Sequence, residues 1–151
     1  MQLNSMEEIL DYAISLEQAA VQLYTDLAEK SDRPAIRKAL LEFADEEREH
    51  ERILKDVKAG HITNLTAEPV QDLKIVDFHT GVAEVDSSSS YGDLLLFAMR
   101  QEKHAFMLYT ELATRATTAE IKQLFDKLAI EEAKHKLRFE IEYDEHVLKE
   151  N

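Results

Sequence analysis

A glutamate and a histidine three residues apart occur twice in this chain. They are Glu47 and His50 within Glu46-Glu47-Arg48-Glu49-His50, and, 85 residues later, Glu132 and His135 within Glu131-Glu132-Ala133-Lys134-His135. On a helix such a pair projects from one face one turn apart, so both side chains can hold the same metal ion. Each copy is preceded, 30 residues earlier, by a lone glutamate in a strongly helical stretch: Glu17 before Glu47 and Glu102 before Glu132. A single Glu-x-x-His is usually a solvated helix face. Two copies at matched distance from two inner-face glutamates instead ask for a fold that gathers four helices around one point.

The repeat extends beyond the acids. At the same offset Leu10 matches Leu95, Ala13 matches Ala98, Ala20 matches Ala105, Leu23 matches Leu108, and Tyr24-Thr25 matches Tyr109-Thr110. Leu27-Ala28 likewise matches Leu112-Ala113, Ile36 matches Ile121 and Ala44 matches Ala129. Two helical hairpins related by a pseudo-twofold axis would set the six side chains together at mid-height.

Hydrophobic periodicity predicts the helices. Ser5 and Glu8 form a capping box, and Ile9, Ala13, Leu16, Ala20, Leu23 and Leu27 follow at helical spacing, giving a helix over about 6–30. After the turn Ser31-Asp32-Arg33-Pro34, Ile36, Leu40, Phe43, Leu54 and Val57 carry a second helix over about 34–59. Ser90 and Asp93 cap a third over about 91–115, and Thr117 with Glu120 caps a fourth over about 118–148. Phe139, Ile141 and Tyr143 give the fourth helix apolar surface beyond the repeat, which suggests a contact in a homodimer or higher homo-oligomer.

Between about 60 and 90 the periodicity fails: Pro69, Gly81 and the run Ser87-Ser88-Ser89-Ser90 interrupt it. Leu73, Ile75, Val76, Phe78, Val82 and Val85 are too apolar for a solvated linker, so a strap packed along the bundle is expected. A 25-residue helix is about 38 Å long, and about 30 extended residues can return the chain to the end where it began. The expected architecture is therefore all-α, one domain over 1–151, a four-helix bundle running up-down-down-up with a long crossover between its second and third helices.

Composition narrows the chemistry. A net charge of −13, from 18 Lys+Arg against 31 Asp+Glu, leaves no basic face for nucleic acid or an anionic membrane. The absence of cysteine excludes disulfides, a thiolate nucleophile and sulfur ligation, so any metal must use Glu and His. No basic, apolar leader opens the chain and no stretch is long and uncharged enough to span a bilayer, so a cytoplasmic location is expected. Four buried carboxylates without cations would be very costly, whereas two divalent ions balance them. The pattern assigns Glu17 and His50 to one ion, Glu102 and His135 to the other, and Glu47 and Glu132 as bridges. Oxygen and nitrogen donors without sulfur suit iron or manganese, with zinc and cobalt as competitors.

With Glu17, Glu102, both Glu-Glu-x-x-His runs, the long crossover and a tyrosine seven residues after each lone glutamate, nearly the whole chain resembles the rubrerythrin di-iron domain of the ferritin-like superfamily. The resemblance implies non-haem di-iron redox chemistry: reduction of hydrogen peroxide or oxygen, or, as in ferritins, oxidation of Fe2+. A non-catalytic metal-binding bundle is the remaining alternative. Two departures stand out. Rubrerythrins usually carry a four-cysteine rubredoxin domain as electron donor, and without cysteine here the electrons must come from a separate protein or from Fe2+ itself. An additional carboxylate of the family, one turn after the lone glutamate of the third helix, is replaced by Ala105.

Further residues are drawn toward the site by position. Tyr24 and Tyr109 lie two turns beyond the lone glutamates, and each hydroxyl can lean back to a ligand carboxylate. Glu46 and Glu131 project about 100° from the bridging acids, where each can accept from the ring N–H of the histidine in the opposite half. Ala13, Ala20, Ala98 and Ala105 flank the lone glutamates and either pack the helices or leave room for an oxygen species. His61, His79, His104 and His146 lack the spacing and are expected to be solvated or locally bonded, and Glu142 with His146 is expected to form a surface pair.

Overall fold

A computed structural model describes residues 5–66, 85–86 and 88–148. Its four long helices are α1 (Met6–Lys30), α2 (Pro34–Gly60), α3 (Tyr91–Arg115) and α4 (Ala119–Tyr143). The caps follow from the sequence. Ser5 accepts from the Glu8 amide, Ser90 from the Asp93 amide, and Pro34 opens α2 where a missing N–H costs nothing. α4 starts one residue later than its capping-box signature implied: Thr118, not Thr117, accepts from the Ile121 amide. Thr117 uses its own amide to reach the Asn64 carbonyl at 2.8 Å, and that long-range bond fixes where the helix can begin. α4 gives way at its end to a π-helical turn, Asp144–Leu148. This turn packs against the start of α3, where a Cβ on Gly92 would lie 3.2 Å from Val147.

Contacts at the helix ends settle the topology. Lys58 of α2 reaches Asp11 of α1 at 2.6 Å, and Leu65, just beyond α2, pairs with Ala116 at the end of α3. α2 and α3 thus finish at the same end of the bundle and run parallel, while α1 and α4 run the other way. The bundle is up-down-down-up and has the ferritin-like arrangement. The two ends of the crossover lie at opposite ends of the bundle, because Leu65 packs in the cluster containing Met6 and Ile9 while Val85 packs against the cluster containing Phe139. Leu73, Ile75, Val76, Phe78, Val82 and His79 lie outside the described residues.

Two hydrophobic clusters fill the bundle, and every helix passes from one to the other through a polar layer. Along α1, Ala13 belongs to the first cluster and Ala20 to the second, with Glu17 between; along α3, Ala105 and Ala98 bracket Glu102 in the same way. On α2 and α4 the polar residues are Glu47, His50, Glu132 and His135. Burying Phe125, Phe139, Tyr24, Tyr109 and the surrounding leucines contributes about 1.5–3 kcal/mol per side chain, and this offsets the cost of the charged layer. Of the three α4 residues expected to add outer apolar surface, Phe139 is buried and Tyr143 packs against the second cluster, leaving Ile141 exposed.

Two expectations about polar residues fail. Glu142 is 4% exposed and not on the surface: Arg33, from the α1–α2 turn, pairs with it, and Tyr91 donates to it at 2.9 Å. His146 hydrogen-bonds the same Arg33. His104 is buried, with its Nε2 2.6 Å from the Tyr12 hydroxyl on α1. In each case the partner comes from a distant segment, which supplies the polar contact that burial requires. His61 is exposed, with Nδ1 3.3 Å from the side-chain nitrogen of Asn64.

Candidate metal centre

The polar layer brings all six expected ligands together. Glu17, Glu47, His50 and Glu132 form one group and Glu47, Glu102, Glu132 and His135 a second, each with donor atoms within 4.8 Å of one another. Glu47 and Glu132 belong to both groups; the other four residues belong to one each. His50 Nδ1 lies 2.6 Å from Glu132, 3.7 Å from Glu17 and 3.8 Å from Glu47. His135 Nδ1 lies 2.7 Å from Glu47 and 3.8 Å from Glu102. None of the six is more than 2% exposed.

The outer nitrogens are held crosswise between α2 and α4. His50 Nε2 meets Glu131 at 2.6 Å, and His135 Nε2 meets Glu46. A proton on Nε2 donated to these carboxylates leaves each Nδ1 lone pair facing the cluster, the tautomer a metal ligand needs. Tyr109 donates its hydroxyl to Glu17, joining α3 to α1. Tyr24 makes no matching bond to a ligand carboxylate among the described residues; its buried hydroxyl has no hydrogen-bond partner. Its ring is held edge-on to His135 at 6.2 Å and against Phe139 at 5.1 Å, while Phe43 lies 4.3 Å from the same imidazole. At the repeat-related positions the other half carries Leu54 and Leu128, which leave Tyr109 free to reach its acid.

Without cations, protons must neutralise this layer. Burial, then the charges of Glu102 and Glu17, push the Glu132 carboxyl well above its usual range, and burial with Glu132 and Glu17 does the same to Glu47. Burial raises Glu102 to about 8. Burial also works against Glu17, but hydrogen bonds with Glu47, His50 and Tyr109 prevail and its pKa is lowered. Burial opposes the imidazoliums as well, yet the hydrogen bond to Glu132 and the nearby Glu17 carboxylate lift His50 to about 12, and the adjacent Glu47 carboxylate lifts His135 to about 9. Glu17 Oε2, Glu47 Oε1, Glu102 Oε2 and His135 Nδ1 remain buried without a hydrogen-bond partner, although Glu47 Oε1 and His135 Nδ1 are 2.7 Å apart. A cation held between these donor atoms would partner them. Four carboxylates and two imidazoles of this geometry fit two divalent ions.

Among the described residues, a small cavity and a wider groove adjoin the cluster. On the α1–α3 side a cavity of about 10 Å³ is lined by the four carboxylates with Leu16, Ala20, Gln101 and Ala105. All four flanking alanines pack in the hydrophobic clusters, and Ala20 and Ala105 also line this cavity, where they leave room. On the α2–α4 side a groove of about 370 Å³ is lined by both buried imidazoles together with Glu46, Glu49 and Glu131.

The family model named Rubrerythrin matches residues 8–75 and 93–151. The chain belongs to the rubrerythrin family. Among solved structures it is similar to a hypothetical protein from Pyrococcus furiosus, with 26% identity, a TM-score of 0.73, and coverage of 93% of this chain and 89% of that one. It is also similar to a candidate ferritin-like diiron-carboxylate protein from Thermotoga maritima, with a TM-score of 0.75 at 21% identity over 97% of each chain, a likeness of fold. No curated protein matches it significantly. As a rubrerythrin-family chain without cysteine, it carries no four-cysteine rubredoxin site among its 151 residues.

Proposed function

We propose that this chain is a non-haem di-iron oxidoreductase that reduces hydrogen peroxide or oxygen. The observation that carries the reading is the pair of overlapping four-ligand groups that share Glu47 and Glu132, fully buried and with donor atoms left unpartnered. Glu17 and His50 would hold one iron, Glu102 and His135 the other, and Glu47 and Glu132 would bridge them. Bound there, two iron ions supply two adjacent one-electron redox centres, enough for a two-electron reduction.

The chain's own residues prepare that chemistry. Tyr109 fixes the orientation of Glu17, and Glu131 and Glu46 fix the two imidazoles. The cavity beside Ala20 and Ala105 admits about one water-sized molecule on the carboxylate side, which suits a small oxygen species. The hydrophobic clusters above and below exclude bulk water. Reduction of one peroxide to two waters consumes two electrons and two protons, and a separate electron-donor protein would supply the electrons. No described helix is long and apolar enough to cross a membrane, and we place the protein in the cytoplasm.

A ferroxidase with Fe2+ as substrate is the second reading, favoured by the open groove over the imidazoles. Anaerobic loading with Fe2+ followed by separate additions of peroxide and oxygen decides between them. Fast bleaching by peroxide with regeneration by a donor supports the reductase, and continuing oxidation of excess Fe2+ supports the ferroxidase. Binding without either reaction overturns both.

A further inference from the structure

The two spaces flanking the cluster differ in ways that bear on how ions arrive. An ion carrying six waters occupies about 200 Å³ at about 30 Å³ per water, far beyond the roughly 10 Å³ on the α1–α3 side but within the roughly 370 Å³ groove between α2 and α4. The groove floor is formed by His50 and His135, whose rings lie 20° from parallel with centroids 6.4 Å apart. Each ring spans the wall between groove and cluster, with Nε2 outward and Nδ1 inward. His135 is 2% exposed and its inward Nδ1 has no hydrogen-bond partner. Above the rings stand Glu46, with 55% of its side chain exposed, and Glu131, with 33% exposed, each on an imidazole Nε2. Glu49 lies at the rim, and Lys127 and Lys134 also line the groove.

We propose that divalent cations reach the cluster through the α2–α4 groove, drawn in by Glu46, Glu49 and Glu131 and passed inward between the two imidazoles. The carboxylate-side cavity is then left to the small oxygen substrate. This inference rests on the two-metal reading above.

The rim residues test the route without disturbing the ligands. Glu49 pairs with Arg52 and Lys127 with Glu131, and neither touches the six-ligand cluster. Stopped-flow uptake of Co2+ by the metal-free full chain should slow about 3- to 10-fold in Glu49→Lys and quicken by a similar factor in Lys127→Glu at low salt. Both changes should shrink as ionic strength rises, with an end point of two Co2+ per chain in every variant. Gln18→Lys, at an exposed position on α1 that lines neither space, should leave the rate unchanged. Slowing by Gln18→Lys with no response to the groove variants overturns the route, as does equal uptake by all the variants. A wild-type end point below two ions per chain overturns the two-metal reading instead, whatever the rates.

Discussion

Replacing Glu102 by glutamine should make the metal-free protein more stable, by an amount that grows with pH. The carboxyl is buried, and burial raises its pKa from 4.5 to about 8. Between those values the folded chain holds a proton that the unfolded chain has released, so folding loses stability as pH rises. At about 1.4 kcal/mol per pKa unit the loss is under about 1 kcal/mol at pH 5, about 2 at pH 6 and about 5 at pH 8 and above. Glutamine mimics the protonated acid in shape and keeps an oxygen that can accept from Glu132, so the variant lacks this slope. Glu47, Glu132, His50 and His135, also raised in the folded state, tilt both proteins the same way, and Glu17, lowered, tilts both oppositely. Urea unfolding of chelator-treated wild type and Glu102→Gln at pH 5, 6.5 and 8 measures the difference directly. A gap that stays constant across that range would refute the argument that burial without a cation is what strains this layer.

With metal present the direction should reverse, because ions displace the protons that the cluster holds: the rise in Tm on metal loading should be larger at pH 8 than at pH 6, read by calorimetry. Metal titration should show that Glu17→Ala keeps the Glu102/His135 ion while Glu47→Ala disturbs both; loss of both ions from Glu17→Ala with retention of both in Glu47→Ala would show that the bridges are wrongly assigned. Tyr109→Phe should cost about 1–3 kcal/mol by removing the donor to Glu17, whereas Tyr24→Phe, which removes a hydroxyl with no hydrogen-bond partner, should stay within about 0.5 kcal/mol, both read by urea unfolding. Arg33→Met should cost about 3 kcal/mol by leaving Glu142 buried without its cation, and Arg33→Met with Glu142→Gln should recover much of that loss.

The helices and the clustering of the six acids and histidines were legible because their signals are local or periodic. Ser5 and Ser90 sit beside the amides they cap, and the fixed offset between Glu47-x-x-His50 and Glu132-x-x-His135 carries the site's symmetry on the chain itself. The crossover direction followed from length alone. What escaped depends on partners brought from elsewhere. Glu142 is buried because Arg33 arrives from the other hairpin, and His104 because Tyr12 does. Neither pair belongs to the repeat: Ala19 and Phe97 occupy the positions matching His104 and Tyr12. No spacing rule could have announced them.

The fate of Tyr24 shows where repeat reasoning stops. Metal ligands must match in kind and angle, so both halves keep the same Glu and His, but the packing around them need only fill volume. The halves fill it differently: Phe43 and Phe139 stand near His135, where the other half has Leu128 and Leu54, and Phe125 stands against Tyr109, where the first has Leu40. The aromatic cluster around His135 holds Tyr24 by its ring and leaves its hydroxyl without a hydrogen-bond partner; the leucines around Tyr109 let it reach Glu17. The consequence reaches the site. Glu17 accepts the Tyr109 hydroxyl on one oxygen while Tyr24 makes no matching bond, and Glu17 and Glu102 each keep one oxygen unpartnered. Two sets with the same residues therefore have unequal surroundings: a tyrosine donor reaches Glu17, and aromatic rings crowd His135.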